Sequence, residues 1–245
     1  MSKVLVLSGD GMNCERESAR AFEDAGAQAN IVHVNEFLSA PAQLLDHDIF
    51  CIPGGFSFGD ELRSGKILAE KLKRQVLPLF NQFIKKGGLT IGICNGFQVL
   101  IQMGVFGGDQ NERQITLATN DHGTFLNQWV SLELSEDAKS SPWFKGLSGK
   151  LFLPMRHKEG RLVIKSGLSA SLFRFPLRYS KAVNGSVEQA AALLDASGQI
   201  LGIMPHPESA THSFLNALED LEISAEMNAR RVRKIFENAV EWSNE

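Results

Sequence analysis

Gly92-Ile93-Cys94-Asn95-Gly96 places a thiol between two glycines, each two residues away. That spacing is the cysteine form of the G-x-S-x-G nucleophile elbow, a sharp strand-to-helix turn that lifts its central side chain above a sheet edge. Flanking glycines remove the side chains that would clash there. A helix beginning at about Asn95 would set its positive end beside Cys94 and favour the thiolate, the attacking form of cysteine. The competing assignment is a buried core cysteine after an apolar strand, the common fate of this residue type. The paired glycines favour the nucleophile.

A cysteine nucleophile needs a base, and the base needs a group that fixes its tautomer. Met204-Pro205-His206-Pro207-Glu208 offers both after the apolar run Ile200 to Ile203. Two prolines predict an extended segment. In an extended chain residues i and i+2 project to the same side, which would set Glu208 beside His206. Glu208 would then accept the Nδ1 proton and leave Nε2 facing Cys94. Read alone, His-x-Glu is equally a surface turn histidine and a helix-start carboxylate. The elbow cysteine on the same chain favours the catalytic pair.

These residues need a frame, and alternating strands and helices supply one. Lys3–Leu7, Ala29–Val34, Asp48–Ile52 and Leu89–Ile93 read as strands, the first as a continuous apolar run suited to a sheet covered on both faces. Helical spacing marks Cys14–Ala25, Ser64–Lys85 (kinked or divided at Pro78) and Asn95 to about Met103. From about residue 107 to 190 the pattern changes to short strand-like pieces, among them Trp129–Leu134 and Leu151–Leu153. Ala191–Leu194 and Ile200–Met204 flank a turn and read as a hairpin. An amphipathic stretch from Ser224 carries Met227, Val232, Ile235, Phe236, Ala239 and Val240 as one stripe. The expected fold is α/β: one domain over residues 1–245, with a mostly parallel central sheet flanked by helices and a mixed or antiparallel β extension.

Composition narrows the function classes. A chain of 245 residues with net charge −3 carries no electrostatic footprint for nucleic acid. No apolar run approaches the roughly 18 residues that span a bilayer, and the N-terminus lacks a signal-peptide pattern. Three well-separated cysteines, Cys14, Cys51 and Cys94, form no C-x-x-C pair. They predict neither a disulfide framework nor a cysteine-based zinc site, and suit a reducing, cytoplasmic compartment. Cys51 lies inside a strand and reads as core. Cys14 opens a helix after a turn and is ambiguous. His33, His47, His122 and His212 have no metal-ligand spacing.

Taken together, Gly92-Ile93-Cys94-Asn95-Gly96-Phe97-Gln98 and the late His206-Pro207-Glu208 resemble the class I glutamine amidotransferases. Pro53-Gly54-Gly55-Phe56-Ser57-Phe58-Gly59-Asp60, Asn13-Cys14-Glu15 and Asn184-Gly185-Ser186 resemble, more narrowly, the glutaminase subunits of phosphoribosylformylglycinamidine synthases. Three departures stand out: a longer first turn, Lys158 in place of a glycine in Arg156-His157-Lys158-Glu159-Gly160, and Ser209 in place of an arginine. They leave the triad intact and bear on the partner surface and on His157.

The resemblance implies attack by Cys94 on the glutamine side-chain amide. The N–H groups of Gly55 and Asn95 hold the oxyanion, and His206 protonates the departing ammonia. Gln98 either contacts substrate or faces outward from its helix. Gly54-Gly55 also serves as a tight turn, and Phe56 and Phe58 are either interface anchors or core. The resemblance further implies no cofactor in this chain. ATP and magnesium are expected on a synthase partner that converts formylglycinamide ribonucleotide to the amidine, with a small accessory subunit as a further partner. Consistent with this, the chain has no G-x-x-x-x-G-K-[ST] string. A free-standing cysteine hydrolase and a non-catalytic regulatory protein of the same fold are the rival readings.

Overall fold

The structure, a computed structural model, describes residues 1–107, 114–216 and 223–244. The chain opens with β1 (Lys3–Ser8), α1 (Glu15–Asp24), β2 (Gln28–His33), α2 (Val34–Ser39) and β3 (Ile49–Ile52). It continues through α3 (Lys66–Gln75), α4 (Leu77–Lys85), β4 (Leu89–Ile93) and α5 (Asn95–Met103). β5 (Ile115–Thr119), β6 (Leu126–Leu134), β7 (Lys150–His157), β8 (Glu159–Ile164) and β9 (Leu177–Tyr179) form the extension. β10 (Ala192–Leu194), β11 (Ile200–Ile203) and α6 (Ala225–Trp242) complete the fold.

The main sheet runs β10-β11-β4-β3-β1-β2, parallel throughout except for the β10–β11 hairpin. β3 and β4 are fully buried, as expected for strands covered on both faces. α5 packs on β3, β4 and β11 and against α3, while α1 packs against α6. Phe22 of α1 meets Phe236 of α6 edge to face at 5.0 Å. The extension consists of two antiparallel pieces, β5–β8 and β7–β6–β9.

Pro78 divides its helical stretch, as expected, and one position of the C-terminal stripe differs. The stretch around Pro78 is two helices, because Pro78 falls in the first turn of α4, where its missing N–H costs nothing. Met227 is not in the α6 stripe: it is 47% exposed. The buried position beside it belongs to Asn228, whose amide accepts from Phe152 N at 2.9 Å and donates to Phe152 O at 2.8 Å. That side chain pairs with β7 as a neighbouring strand would, so a polar residue occupies the inward face without an unsatisfied group.

Candidate active site

The loops after β3, β4 and β11 leave the carboxyl edge of three adjacent parallel strands, and the loop after β1 joins them. This edge is where open α/β sheets bind ligands. The strand order therefore brings together residues that lie up to nearly two hundred positions apart in the chain.

Cys94 has φ 51° and ψ −103°, a backbone conformation that non-glycine residues adopt only under constraint. Its N–H donates to the Ile203 carbonyl at 2.7 Å, which fastens the elbow to β11. The thiol lies 3.4 Å from the Arg156 carbonyl. Gly96 allows the turn: a Cβ there would run into the Ile52 carbonyl. The expected elbow is present.

His206 and Glu208 also meet as expected, Nδ1 to Oε1 at 2.6 Å. Both are buried, 3% and 2% exposed. The route to that pairing is different, however. His206 is extended, but Pro207–Ala210 is a short 3-10 turn. Glu208 thus reaches back over a turn rather than lying alongside on an extended strand. The His206 N–H donates to the Pro154 carbonyl at 2.8 Å, tying this loop to β7.

Burial pulls the His206 pKa down. The Glu208 carboxylate, Cys94 and hydrogen bonding with Cys14 and Cys94 outweigh it and hold the value well above the ordinary 6.5. Nε2 is buried without an ordinary hydrogen-bond partner. The contact with Cys94 is therefore looser than a standard hydrogen bond, a common state of catalytic pairs before substrate binds.

Gly55 has φ +140°, and a Cβ there would lie 2.6 Å from the Gly11 carbonyl. Its neighbours make the bonds of a bridge to Met12: Asn13 N to Gly54 O at 3.3 Å and Phe56 N to Gly11 O at 2.7 Å. That bridge leaves the Gly55 N–H unused. The Asn95 N–H is in the first turn of α5, where no intrahelical acceptor exists.

The alternative that Gln98 faces outward from its helix is overturned: it is 6% exposed. Its Oε1 accepts from Asn95 Nδ2 at 2.8 Å and its Nε2 donates to Glu159 O at 2.6 Å. Asn95 also accepts from Ser57 N at 3.0 Å and donates to Asp60 Oδ1 at 3.1 Å. The Asn95 side chain is thus a brace between the elbow and the loop after β3.

A cleft of about 270 Å³ opens over Cys94, lined by Gly55, Phe56, Asp60, Gln98, Phe125, Arg156, His157, Lys158 and Glu159 among others. This is the small end of the range for small-molecule sites. Four larger clefts, from about 310 to about 580 Å³, contain none of the triad, so the chemistry and not the size marks the site. The cleft carries both charge signs, which suits an α-amino acid.

Three features were not legible as site residues. Cys14, ambiguous in the sequence, packs beside His206 and Glu208; its thiol pKa is pushed up by burial, against the pull of a hydrogen bond to His206. His157 is buried, and burial with the nearby charge of His206 lowers its pKa to about 4. Its Nδ1 meets Asn120 Oδ1 at 3.1 Å. Phe58, Gly59 and Asp60 all have positive φ at the cleft rim, a cluster of strain typical of functional loops. The string Arg156-His157-Lys158-Glu159-Gly160 was the available signal for this wall. Cys51, read as core, is fully buried. Phe56 and Phe58 divide between their two readings: Phe56 is 50% exposed, whereas Phe58 packs against the core with the Lys71 ammonium 5.3 Å from its ring.

An elbow thiol, a buried imidazole–carboxylate pair and backbone N–H groups not taken up by their own bridge or helix are parts that covalent acyl chemistry requires. Residues 1–243 match the CobB/CobQ-like glutamine amidotransferase domain, and the chain belongs to that family. Among its relatives, a phosphoribosylformylglycinamidine synthase subunit PurQ from Methanococcus maripaludis is 33% identical over 268 residues, covering 99% of this chain and 98% of that protein. The subunit of the same name from Dehalococcoides mccartyi is 34% identical over 258 residues, with full coverage of both. A chain in the structure of PurLQS from Thermotoga maritima superposes with a TM-score of 0.77 at 30% identity, covering 98% of each chain.

Proposed function

We propose that this chain is the glutaminase subunit of a phosphoribosylformylglycinamidine synthase and supplies it with ammonia. The observation that carries the reading is the positive-φ elbow of Cys94 beside the buried His206–Glu208 pair, on a chain of this family. Glutamine enters the cleft with its side-chain amide over Cys94. The thiolate attacks the amide carbon, and the N–H groups of Gly55 and Asn95 receive the oxyanion. His206 enters the reaction protonated, since its neighbours favour the imidazolium, and passes that proton to the departing ammonia. A γ-glutamyl thioester remains on Cys94. Water deprotonated by His206 then releases glutamate, and Cys94 leaves as the thiolate beside the reprotonated His206, as at the start. Glu208 holds the ring orientation and offsets the imidazolium charge throughout.

The acceptor chemistry belongs to a partner. PurLQS names an assembly of three subunit types in a relative, and the proposed partners here are a synthase subunit that holds ATP and magnesium and a small accessory subunit. Phe56, at 50% exposure on the cleft rim beside Gly55, and Phe125, at 48%, offer apolar anchors for the synthase. Steady-state glutaminase rates test the proposal with the chain alone, with the synthase, and with synthase plus ATP and nucleotide substrate. The reading requires low activity alone and a rise in the loaded complex. High activity that the synthase leaves unchanged would favour a free-standing hydrolase.

A further inference from the structure

Acyl chemistry at this site needs Cys94, His206 and Glu208, yet a second thiol stands against the same imidazole. The Cys14 Sγ, a ring nitrogen of His206 and a carboxylate oxygen of Glu208 all lie within 4.8 Å of one another. This closeness is built into the backbone. A Cβ on Gly54 would sit 2.7 Å from His206 Cε1 and 3.4 Å from Cys14 Sγ, so glycine is what lets the loop after β3 pass beside both groups. The second oxygen of Glu208, Oε2, is buried and has no hydrogen-bond partner. A buried carboxylate oxygen without a partner is costly, and a cation relieves that cost.

We propose that Cys14, His206 and Glu208 form an inhibitory site for a thiophilic divalent cation of the Zn2+ class. The inference rests on the reading of His206 as the catalytic base only for its inhibitory consequence. The donor set is one sulfur, one nitrogen and one oxygen, all accepted ligand types for this ion. Bond lengths of roughly 2.0–2.3 Å in a tetrahedron place donors about 3.3–3.6 Å apart. The three atoms reach that spacing by closing about 1 Å or slightly more from their outer limit. Binding releases two protons to solvent, one from the Cys14 thiol and one from the His206 imidazolium. One thiolate and one carboxylate then balance the two positive charges, so the buried site is neutral overall. Cys14 is only partly buried, which gives the ion a way in.

Glu208 faces Nδ1, so Nδ1 is the ring nitrogen the cation takes. The cation displaces the His206–Glu208 hydrogen bond that orients the base, and inhibition follows. Simple ligation by Cys94 and His206 is the rival arrangement, and the test separates the two.

The experiment titrates Zn2+ against a chromophoric chelator with the full-length chain. Zn2+ affinity is expected to survive Cys94→Ala and to fall at least tenfold in Cys14→Ala. Cys14→Ser, which keeps the volume but lacks the soft thiolate, gives the same reading if the alanine variant folds poorly. Co2+ added to the Cys94→Ala protein is expected to show thiolate-to-metal charge-transfer absorption that disappears in the Cys14→Ala/Cys94→Ala double variant. Unchanged affinity in both Cys14 variants, or loss of binding in Cys94→Ala, overturns the proposal. These readouts record binding and not glutamine hydrolysis, so a failure of the glutaminase reading would leave them interpretable.

Discussion

Glu208 never touches substrate in this account, and its value lies in what it does to an imidazole. Its carboxylate is 2.6 Å from His206 Nδ1 and almost fully buried, so the interaction is little screened by water. Glu208→Gln keeps a hydrogen-bonding group but removes the charge and the tautomer preference. The expected loss in kcat is about 1,000- to 10,000-fold, with a much smaller change in the KM for glutamine. An unchanged kcat at saturating glutamine would reject the orienting role. His157 gives a prediction of a different kind. Burial and the charge of His206 hold its folded-state pKa at about 4, below the ordinary value of about 6.5. Between those values the unfolded chain binds a proton that the folded chain does not. Stability therefore falls as pH drops below about 6.5, and the loss is complete near pH 4, at a total of roughly 3 kcal/mol. Denaturant unfolding of His157→Gln should depend less steeply on pH than wild type in that window. Identical slopes would contradict the buried, neutral His157.

At the scale of elements, the elbow depends on β3, β4 and α5 being in near contact. Gly96 has no room for a methyl group because the Ile52 carbonyl occupies it. Gly96→Ala should cost about 1–3 kcal/mol or more and lower activity further by displacing Cys94, as read by thermal unfolding and turnover. A Tm equal to wild type would mean that the elbow tolerates a looser packing than described. The same elements were the most legible in the sequence. β4 and α5 are a short strand run and a mostly apolar helix that meet at a glycine-flanked turn, and their bounds match the expected residues. α2, six residues long, and β9, three residues long, were missed because such pieces are too short to show a period. Among the described residues β5 and β8 form a two-stranded sheet, through a bulge between Ala118 and Thr119; their burial alternates, but over five and six residues that is too short to stand out in the sequence. The triad was legible because two short motifs each carry a mechanism. The place of Cys14 beside His206 was not legible, since it depends on how the loops after β1 and β11 cross the sheet edge over two intervening strands and meet beside Gly54.

For the whole molecule, the cleft has a protein wall on one side and a partly exposed aromatic rim on the other. Phe56→Ala should weaken assembly with the synthase and reduce the activation of glutamine hydrolysis by the loaded complex, with a smaller effect on the basal rate. Sedimentation or light scattering, paired with rates, would read this. Full assembly with full activation would move the interface elsewhere. The proposed function stands on ammonia being made at Cys94 and consumed by a partner. The most direct measurement compares glutamine-dependent and ammonia-dependent amidation by the assembled enzyme carrying Cys94→Ala. The glutamine-dependent rate is expected to disappear while the ammonia-dependent rate remains near wild type; glutamine-dependent amidation at near wild-type rate would rule out Cys94 as the source of the ammonia.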